Sequence, residues 1–401
     1  MEQKYIQRNI YLDQIRPFID KNIIKVMVGQ RRVGKSYMLF QIMDLVRISN
    51  PNSNLIYINM ELYEFSHIKN EHDLISFVKT KYQTAGKKYL FIDEIQEISN
   101  FEKALRSLNA EGGYDIYCTG SNANLLSGEL STYLAGRYIE INIYGLSYSE
   151  FLVFHGLIDN NSSLNHYIKY GGLPFLKNLE LEDRIIFDYL TNIYNSILYK
   201  DIISRYGVRN VAFLEKLVEY LADNIGNILS AKKISDFLKS QKINISTNIV
   251  LNYISFLSSA FFISKVQRAN IIGKKIFEIG EKYFFEDLGL RHSIIGFKQE
   301  DIGKILENLV FLHLKIAGYT IHIGKLGNQE IDFVCQKNGE KLYVQVAYMI
   351  IDESTRNREF GNLKKIKDNY PKMVISFDEI TGGTTDGIRH MHIRDFLVNF
   401  V

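Results

Sequence analysis

Cysteine and proline are scarce, long apolar runs are missing and neither sign of charge dominates. Each shortage closes off a class of protein. Only two cysteines occur in 401 residues, Cys118 and Cys335, each inside an apolar run that reads as a strand and neither near another cysteine. No disulfide framework or cysteine zinc site is expected, and a reducing compartment fits. The four prolines, Pro17, Pro51, Pro174 and Pro371, leave no Pro-rich linker or ligand segment. The longest apolar runs, such as Ile254 to Ile263, are broken by serines and fall far short of a bilayer span, so no membrane association is expected. The opening stretch MEQKYIQRNIYLDQIRPFID mixes acids with bases and has no continuous apolar core. It predicts no signal peptide, and a cytoplasmic location follows as an expectation. Lysine plus arginine total 48 against 45 acids, leaving +3, a sum that by itself selects no acidic partner. With 46 % hydrophobic and 23 % charged residues the chain is neither disordered nor fibrous, and its length predicts two to three domains.

What is present is concentrated in a few motifs. Lys25 to Val28 ends a short apolar run and flows into Gly29-Gln30-Arg31-Arg32-Val33-Gly34-Lys35-Ser36, followed by a helix-like stretch from Tyr37 to Arg47. Strand, GxxxxGKS loop and helix occur in the order of a P-loop. Glycines at both ends let successive backbone N–H groups point inward at phosphate oxygens, and the helix N-terminus adds a favourable dipole. In that geometry Lys35 bridges the β- and γ-phosphates of ATP and the Ser36 hydroxyl ligates Mg2+. Further on, the buried-strand run Lys88 to Ile92 ends in Asp93-Glu94. That pair reads as an Asp supporting the metal and a Glu orienting or deprotonating the attacking water, which argues for hydrolysis and not nucleotide storage alone. Strand-like runs at Ile23 to Val28, Asn54 to Asn59, Tyr89 to Ile92, Tyr114 to Thr119 and Tyr138 to Ile143 are separated by helix-length segments. They predict an α/β domain with a parallel sheet and helices on both faces, its ligand at the carboxyl ends of the strands, where Gly29, Glu61, Asp93 and Asn122 fall.

From the P-loop through TGSNANLLSGELSTYLAGRY the chain resembles the prokaryotic AAA-type ATPases that carry a C-terminal domain of unknown function 4143. The resemblance implies that Asn122, with Ser121 as the alternative, is the polar sensor of the γ-phosphate. It also implies that Arg137 is the cation for the transition-state phosphates, and a guanidinium suits that task because charge spreads over the phosphoryl oxygens during transfer. The GGLP turn at 171–174 and the segment LYKDIISRYGVRN are similar to the start of that family's C-terminal module.

In the middle of the chain, helices read at Phe213 to Leu221, Ser230 to Leu238 and Ser246 to Ser258, followed by strands at Ala260 to Arg268 and Lys274 to Phe285. Helix, turn, helix and a two-stranded wing predict a winged helix-turn-helix. Between Ser230 and Lys275, Lys232, Lys233, Lys239, Lys242, Lys265, Arg268, Lys274 and Lys275 face the single acid Asp236, an electrostatic footprint for double-stranded DNA. Yet Asn248 and Asn252 are the only base-reading amides on the presumed recognition helix, so any binding is expected to be weakly sequence-selective.

The last segment resembles the restriction-endonuclease-like PD-(D/E)xK fold: a helix beginning near Gly303 and adjoining strands at Glu330 to Cys335 and Lys341 to Ala347. The resemblance maps Glu307, Asp332 and Gln345 onto the oxygen ligands of a second magnesium ion. Ala347 stands where that fold carries a lysine, and Lys364 or Lys365 could replace it only by folding back over the sheet. Nuclease activity is therefore not expected. The chain reads as a P-loop domain at 1–150, a helical segment with winged helix at 151–290, and a catalytically degenerate restriction-endonuclease-like domain at 291–401. The implied activity is Mg-dependent ATP hydrolysis that switches or remodels the later domains, on DNA in one version and compatible with an oligomer. The competing readings are an ATP-gated DNA-binding protein or metal-dependent nuclease, and an ATP-gated protein-interaction module.

Overall fold

A computed structural model describes residues 5–81, 87–123, 134, 136–241, 245–271, 278–350, 352–379 and 383–400. The chain divides into two compact units, Met1–Tyr144 with Ser259–Phe261, and Gly145–Ser258 with Phe262–Val401. Among the described residues no helix is long and apolar enough to cross a membrane.

The first unit is built on β1 (Ile24–Val28), β2 (Asn54–Asn59), β3 (Lys88–Asp93), β4 (Tyr114–Gly120) and β5 (Tyr138–Asn142), with α1 (Asn9–Ile15), α2 (Lys35–Ser49), α3 (Glu71–Lys81) and α4 (Phe101–Glu111) between them. The five strands are parallel and lie in the order β2-β3-β4-β1-β5. Every residue of β1 and β4 is buried, as expected of central strands covered on both faces, whereas the edge strand β2 is only partly covered. Helix α4 buries Ala104, Leu105 and Leu108, one stripe at helical spacing, in the same core as Leu90, Ile92 and Ile116. Because all strands run the same way, the loops after β1, β2, β3 and β4 emerge at one edge.

The opposite, amino edge of this sheet carries a buried ion pair. Lys25 on β1 is 0 % exposed and donates to Asp115 on β4. Asp115 also accepts from the Asp20 amide at 2.8 Å and from the Tyr117 hydroxyl at 2.9 Å, so its oxygens are well supplied with donors. Burial lowers the Lys25 ammonium from its ordinary value in spite of Asp115.

The second unit contains α5 (Tyr148–His155), α6 (Asn161–Tyr170), α7 (Asp183–Ser196), α8 (Val211–Asp223), α9 (Ala231–Ser240) and α10 (Thr247–Ser259), the last of which ends at the boundary between units. Later helices are α11 (Leu288–Ile295), α12 (Ile302–Ile316), α13 (Glu353–Lys364) and α14 (Ile393–Asn399). Its strands are β6 (Ile263–Asn270), β7 (Glu278–Phe285), β8 (Thr320–Leu326), β9 (Gln329–Lys337), β10 (Glu340–Val346), β11 (Lys372–Ser376), β12 (Thr384–Thr385) and β13 (Ile388–His392). They form one mixed sheet in the order β12-β13-β11-β10-β9-β8-β6-β7. The hairpin that the sequence reads as a wing, β6 with β7, is thus the terminal pair of the large sheet. Arg268, Ala269 and Asn270 pair in parallel with Ile323, Gly324 and Lys325, which extends the sheet across what the sequence reads as a domain boundary at 290.

Two buried polar side chains lock this unit. Asn308 on α12 accepts from the Phe285 amide at 2.8 Å and donates to its carbonyl at 2.9 Å, fastening the helix to the end of β7. Asp287 caps α11 through the Leu290 amide at 2.9 Å and accepts from the Gly172 amide at 2.8 Å. The glycine pair is needed here: a Cβ on Gly171, whose φ is +77°, would come within 2.4 Å of the Asp287 carboxylate, and one on Gly172 within 2.6 Å of the Leu146 carbonyl. Burial pushes the Asp287 carboxyl up to about 6.

Candidate functional site

The loop between β1 and α2 is closed by its glycines. Gly29 has φ +151°, and a Cβ there would lie 2.1 Å from the Ile143 carbonyl oxygen, so no other residue fits without moving backbone. Gly34, at φ +96°, is the residue from which α2 starts. Lys35 is buried, and its ammonium donates to the carbonyls of Gly29 at 3.0 Å and Gln30 at 2.9 Å. The Gln30 side chain is buried in the same loop, and neither of its polar atoms has a hydrogen-bond partner. Behind the loop stands buried Arg8, which donates to the Val33 carbonyl at 3.1 Å and the Tyr144 carbonyl at 2.9 Å and lies over the Tyr11 ring. No motif in the sequence marks Arg8; only the fold brings it to the loop.

Facing the loop are the two acids at the end of β3. Asp93 accepts from the Tyr57 hydroxyl at 3.2 Å and from the Thr119 hydroxyl, and is hydrogen-bonded to Ser36. Burial raises its carboxyl above the ordinary value. Glu94 adopts φ +56°, which turns its side chain out of the strand register, and its amide donates to the Thr119 hydroxyl at 3.0 Å. Burial alone would raise the Glu94 carboxyl; the Lys35 ammonium, the Gln96 amide and the Arg31 guanidinium hold it below its ordinary value. Gln96 donates to Glu94 and, at 3.3 Å, to the Ser121 hydroxyl. Arg31 is 3.7 Å from Glu61, the acid after β2.

Gly29 to Ser36, Asp93 and Glu94 are therefore gathered at one edge of the sheet. Asn122 is buried at the same edge, and Ser121 is the member of that pair joined to Glu94 through Gln96. Arg137 lies elsewhere. It precedes β5, its carbonyl accepts from the Ile24 amide at 2.9 Å, and its side chain is exposed at the amino edge. The register Ile24↔Tyr138 to Val28↔Asn142 puts the length of β1, about 16 Å at 3.3 Å per residue, between Arg137 and the loop. Among the described residues, Arg31 is an arginine that acts electrostatically on Glu94. The sequence does not rank Thr119, Gln96 and Arg31 as partners of the acids; the order β3-β4-β1 brings Thr119 and Arg31 there, and Gln96 follows Glu94 by two residues.

In the second unit, Glu307 on α12 and Asp332 on β9 come together, joined by a residue outside the expected set. Lys282 on β7 lies 2.6 Å from Glu307, 2.7 Å from Glu330 and 3.9 Å from Asp332. Burial alone would lower this ammonium, but the three carboxylates hold it above its ordinary value. Glu307 and Asp332 are raised, by burial first. Gln345 accepts from the Asp332 amide at 3.3 Å. Lys364 does not fold back; it pairs with Asp386 at 2.5 Å.

The basic stretch is thinner than its sequence count. Lys232, Lys233 and Lys239 are exposed on α9, but Lys265 pairs with Glu281 at 2.7 Å, an acid just beyond the counted window. Lys242, Lys274 and Lys275 lie outside the described residues. Helix α10 turns Asn248, Ile249, Leu251 and Asn252 outward and buries Val250, Ile254 and Leu257.

Residues 21–152 match the model of an AAA domain, and residues 161–301 match a domain of unknown function, number 8612, where the sequence resemblance implies 4143. An uncharacterized protein of Haemophilus influenzae is 38 % identical over 407 residues, covering 99 % of this chain and 100 % of that one. The uncharacterized protein MJ1544 of Methanocaldococcus jannaschii is 32 % identical over 381 residues, covering 91 % and 82 %. Among solved structures, the Aeropyrum pernix Orc1 protein in complex with DNA is similar at 10 % identity and a TM-score of 0.32, covering 73 % of this chain and 92 % of that one. The Thermotoga maritima RuvB Holliday junction branch migration motor is similar at 13 % identity and a TM-score of 0.34, covering 64 % and 87 %. Likenesses this loose carry no function across.

Proposed function

We propose, for a chain that belongs to the family of the Haemophilus influenzae protein and MJ1544 and carries an AAA domain, that it binds Mg·ATP in the β1–α2 loop and hydrolyses it to drive movement of its second unit. The observation that carries this reading is the convergence of Lys35, Ser36, Asp93 and Glu94 at one strand edge. Magnesium fits the donor set, since the Ser36 hydroxyl and Asp93 carboxylate are hard oxygens already in contact, and unpartnered Gln30 and the closed Gly29 turn suit a polyanion in the loop. Ser36 and Asp93 hold the ion, which when bound neutralises charge on the β- and γ-phosphates.

The chain's own groups do the rest. Lys35 exchanges its two carbonyl partners for phosphate oxygens. Glu94, kept ionised by Lys35, Gln96 and Arg31, takes the proton of the attacking water. Arg31 supplies positive charge from the same chain, and Ser121 or Asn122 reads the γ-phosphate through the Gln96 network. In this reading the exposed Arg137 contributes only to the nucleotide of a neighbouring protomer, if the chain assembles. Steady-state hydrolysis and nucleotide binding test the proposal together: Lys35→Ala abolishes binding, and Glu94→Gln binds without turnover. Wild-type protein that neither binds nor hydrolyses Mg·ATP overturns it.

A second reading, that movement of the second unit acts on DNA through a winged helix, is favoured by one observation: three exposed lysines on α9, with two outward amides on α10, the next helix in the chain. Each phosphate neutralised contributes a slope of about −0.9 in log affinity against log salt. These lysines therefore predict a modest slope in gel shifts on duplex DNA, and no shift at low salt removes the reading.

A further inference from the structure

Glu307, Asp332 and Gln345 are the oxygen set that the fold resemblance assigns to a divalent cation, and their arrangement does not fit one. The point that Glu307, Glu330 and Asp332 share is taken by the Lys282 ammonium, which is 3 % exposed and within 2.7 Å of two of them. Asp332 turns its Oδ2 to the Val346 amide at 2.8 Å, and Gln345 turns its Oε1 to the Asp332 amide at 3.3 Å. Two of the three expected ligands thus serve backbone. Among the described residues no three acids, histidines or cysteines converge on a position that would suit a metal. Magnesium demands near-octahedral oxygen coordination and keeps waters, for which an ammonium at the centre leaves no place. Backbone closes one flank as well, since a Cβ on Gly226 would stand 2.8 Å from Glu307 Oε2.

The cluster nevertheless has the charge of a cation site. Glu359 on α13 is 3 % exposed, acts electrostatically on both Glu307 and Asp332, and has an Oε2 with no hydrogen-bond partner, its other oxygen being paired with Arg358 at 2.7 Å. Glu307, Glu330 and Asp332 surround one ammonium, and Glu359 adds its charge to Glu307 and Asp332. Buried charges persist only when paired, so these acids require a cation of some kind.

We propose that Lys282 is the resident cation of this cluster, a tethered ammonium standing where a divalent metal would otherwise sit, and that the cluster is a fastening between β7, α12 and β9. The inference is independent of the nucleotide reading. An ammonium with three N–H donors satisfies carboxylates as a metal does but cannot act as a Lewis acid, so the second unit has no metal-assisted phosphodiester chemistry at this site while Lys282 is in place.

Mn2+ titration of the nucleotide-free full chain, followed by electron paramagnetic resonance, tests it. Wild type and Asp332→Asn should bind Mn2+ alike, because neither uses the cluster. Lys282→Ala should gain an Mn2+ site that binds at least about tenfold more tightly than anything in wild type, in keeping with the effect of a ligand's immediate surroundings on metal affinity. That site should vanish in Lys282→Ala/Asp332→Asn. Lys282→Ser, which also clears the space at the centre, serves if the alanine variant does not fold, and folding of either variant only with Mn2+ supports the proposal. Wild-type uptake of Mn2+ that Asp332→Asn removes overturns it. So does a folded Lys282 variant that gains no Mn2+.

Discussion

The Thr119 hydroxyl joins the two acids of the nucleotide edge, donating to the Asp93 carboxylate while accepting the Glu94 amide hydrogen at 3.0 Å. One side chain on β4 thereby fixes both the carboxylate assigned to the metal and the backbone from which the assigned base projects. Glu94 sits at φ +56°, a conformation that costs a non-glycine residue energy and persists only where its surroundings enforce it. Thr119 is one of the groups that do so.

Thr119→Val keeps the shape and removes the hydroxyl. Its expected effect is a fall in kcat of roughly 10- to 100-fold, corresponding to about 1.4 to 2.7 kcal/mol of misplaced chemistry, with KM for ATP changed little. Thr119→Ser should recover most of the loss. Steady-state kinetics of the three proteins checks this, and a loss confined to KM would contradict it.

Gly29→Ala should remove nucleotide binding with Lys35 intact. The added methyl meets the Ile143 carbonyl oxygen at 2.1 Å, and at φ +151° no side-chain rotation relieves the clash. Binding of a fluorescent ATP analogue, compared with Gly303→Ala, where the new methyl meets nothing within 4 Å, separates this local effect from general damage.

Lys25→Met should loosen the amino edge of the first sheet by about 3 to 5 kcal/mol, the usual cost of leaving one member of a buried pair without its partner. Lys25→Met/Asp115→Asn removes the stranded charge, keeps an acceptor for the Asp20 amide and should recover much of the loss. Hydrogen exchange at the amides of β1 and β4 is the appropriate measurement, because a chain of two units does not unfold in one step.

Asp287 should make the second unit less stable as pH rises from 4 to 7. Its carboxyl, pushed up to about 6 by burial, binds a proton more tightly in the folded chain than in the unfolded one, where the ordinary value of about 3.9 applies. The stabilising contribution is therefore complete below about pH 4 and is lost through pH 6. At about 1.4 kcal/mol per unit it amounts to roughly 3 kcal/mol. In Asp287→Asn that dependence disappears, so the difference in urea midpoint, wild type minus variant, should narrow steadily over this range. A pH-independent difference would contradict the assignment.

Much of the first unit was legible because its chemistry is local. Gly29 to Ser36 and Asp93-Glu94 are contiguous words, and the continuous apolar runs of β1, β3 and β4 announce strands covered on both faces. The partners of those words were not legible. Thr119 reaches the acids through strand order and Arg8 reaches the loop through its bond to the Val33 carbonyl, neither of which sequence spacing encodes, whereas Gln96 stands two residues after Glu94 without a motif to mark it. Arg137 is the opposite case: it directly precedes β5, so in a parallel sheet it has to stand at the amino edge, away from the loops that follow β1 and β3. In the second unit the acids Glu307 and Asp332 were read, but Lys282 comes from a strand assigned to a different module, so the cation of the cluster was invisible.

The parallel pairing of Arg268–Asn270 with Ile323–Lys325 has a mechanical meaning. Strands bonded side by side resist sliding, because every ladder bond must break together before one strand can slip past the next. A force applied to the β6–β7 hairpin is therefore shared at once with β8 and, through it, with β9 and β10. Within this unit the sheet is the stiff lever, and compliance has to come from the helical stretches and turns that are not stitched into it.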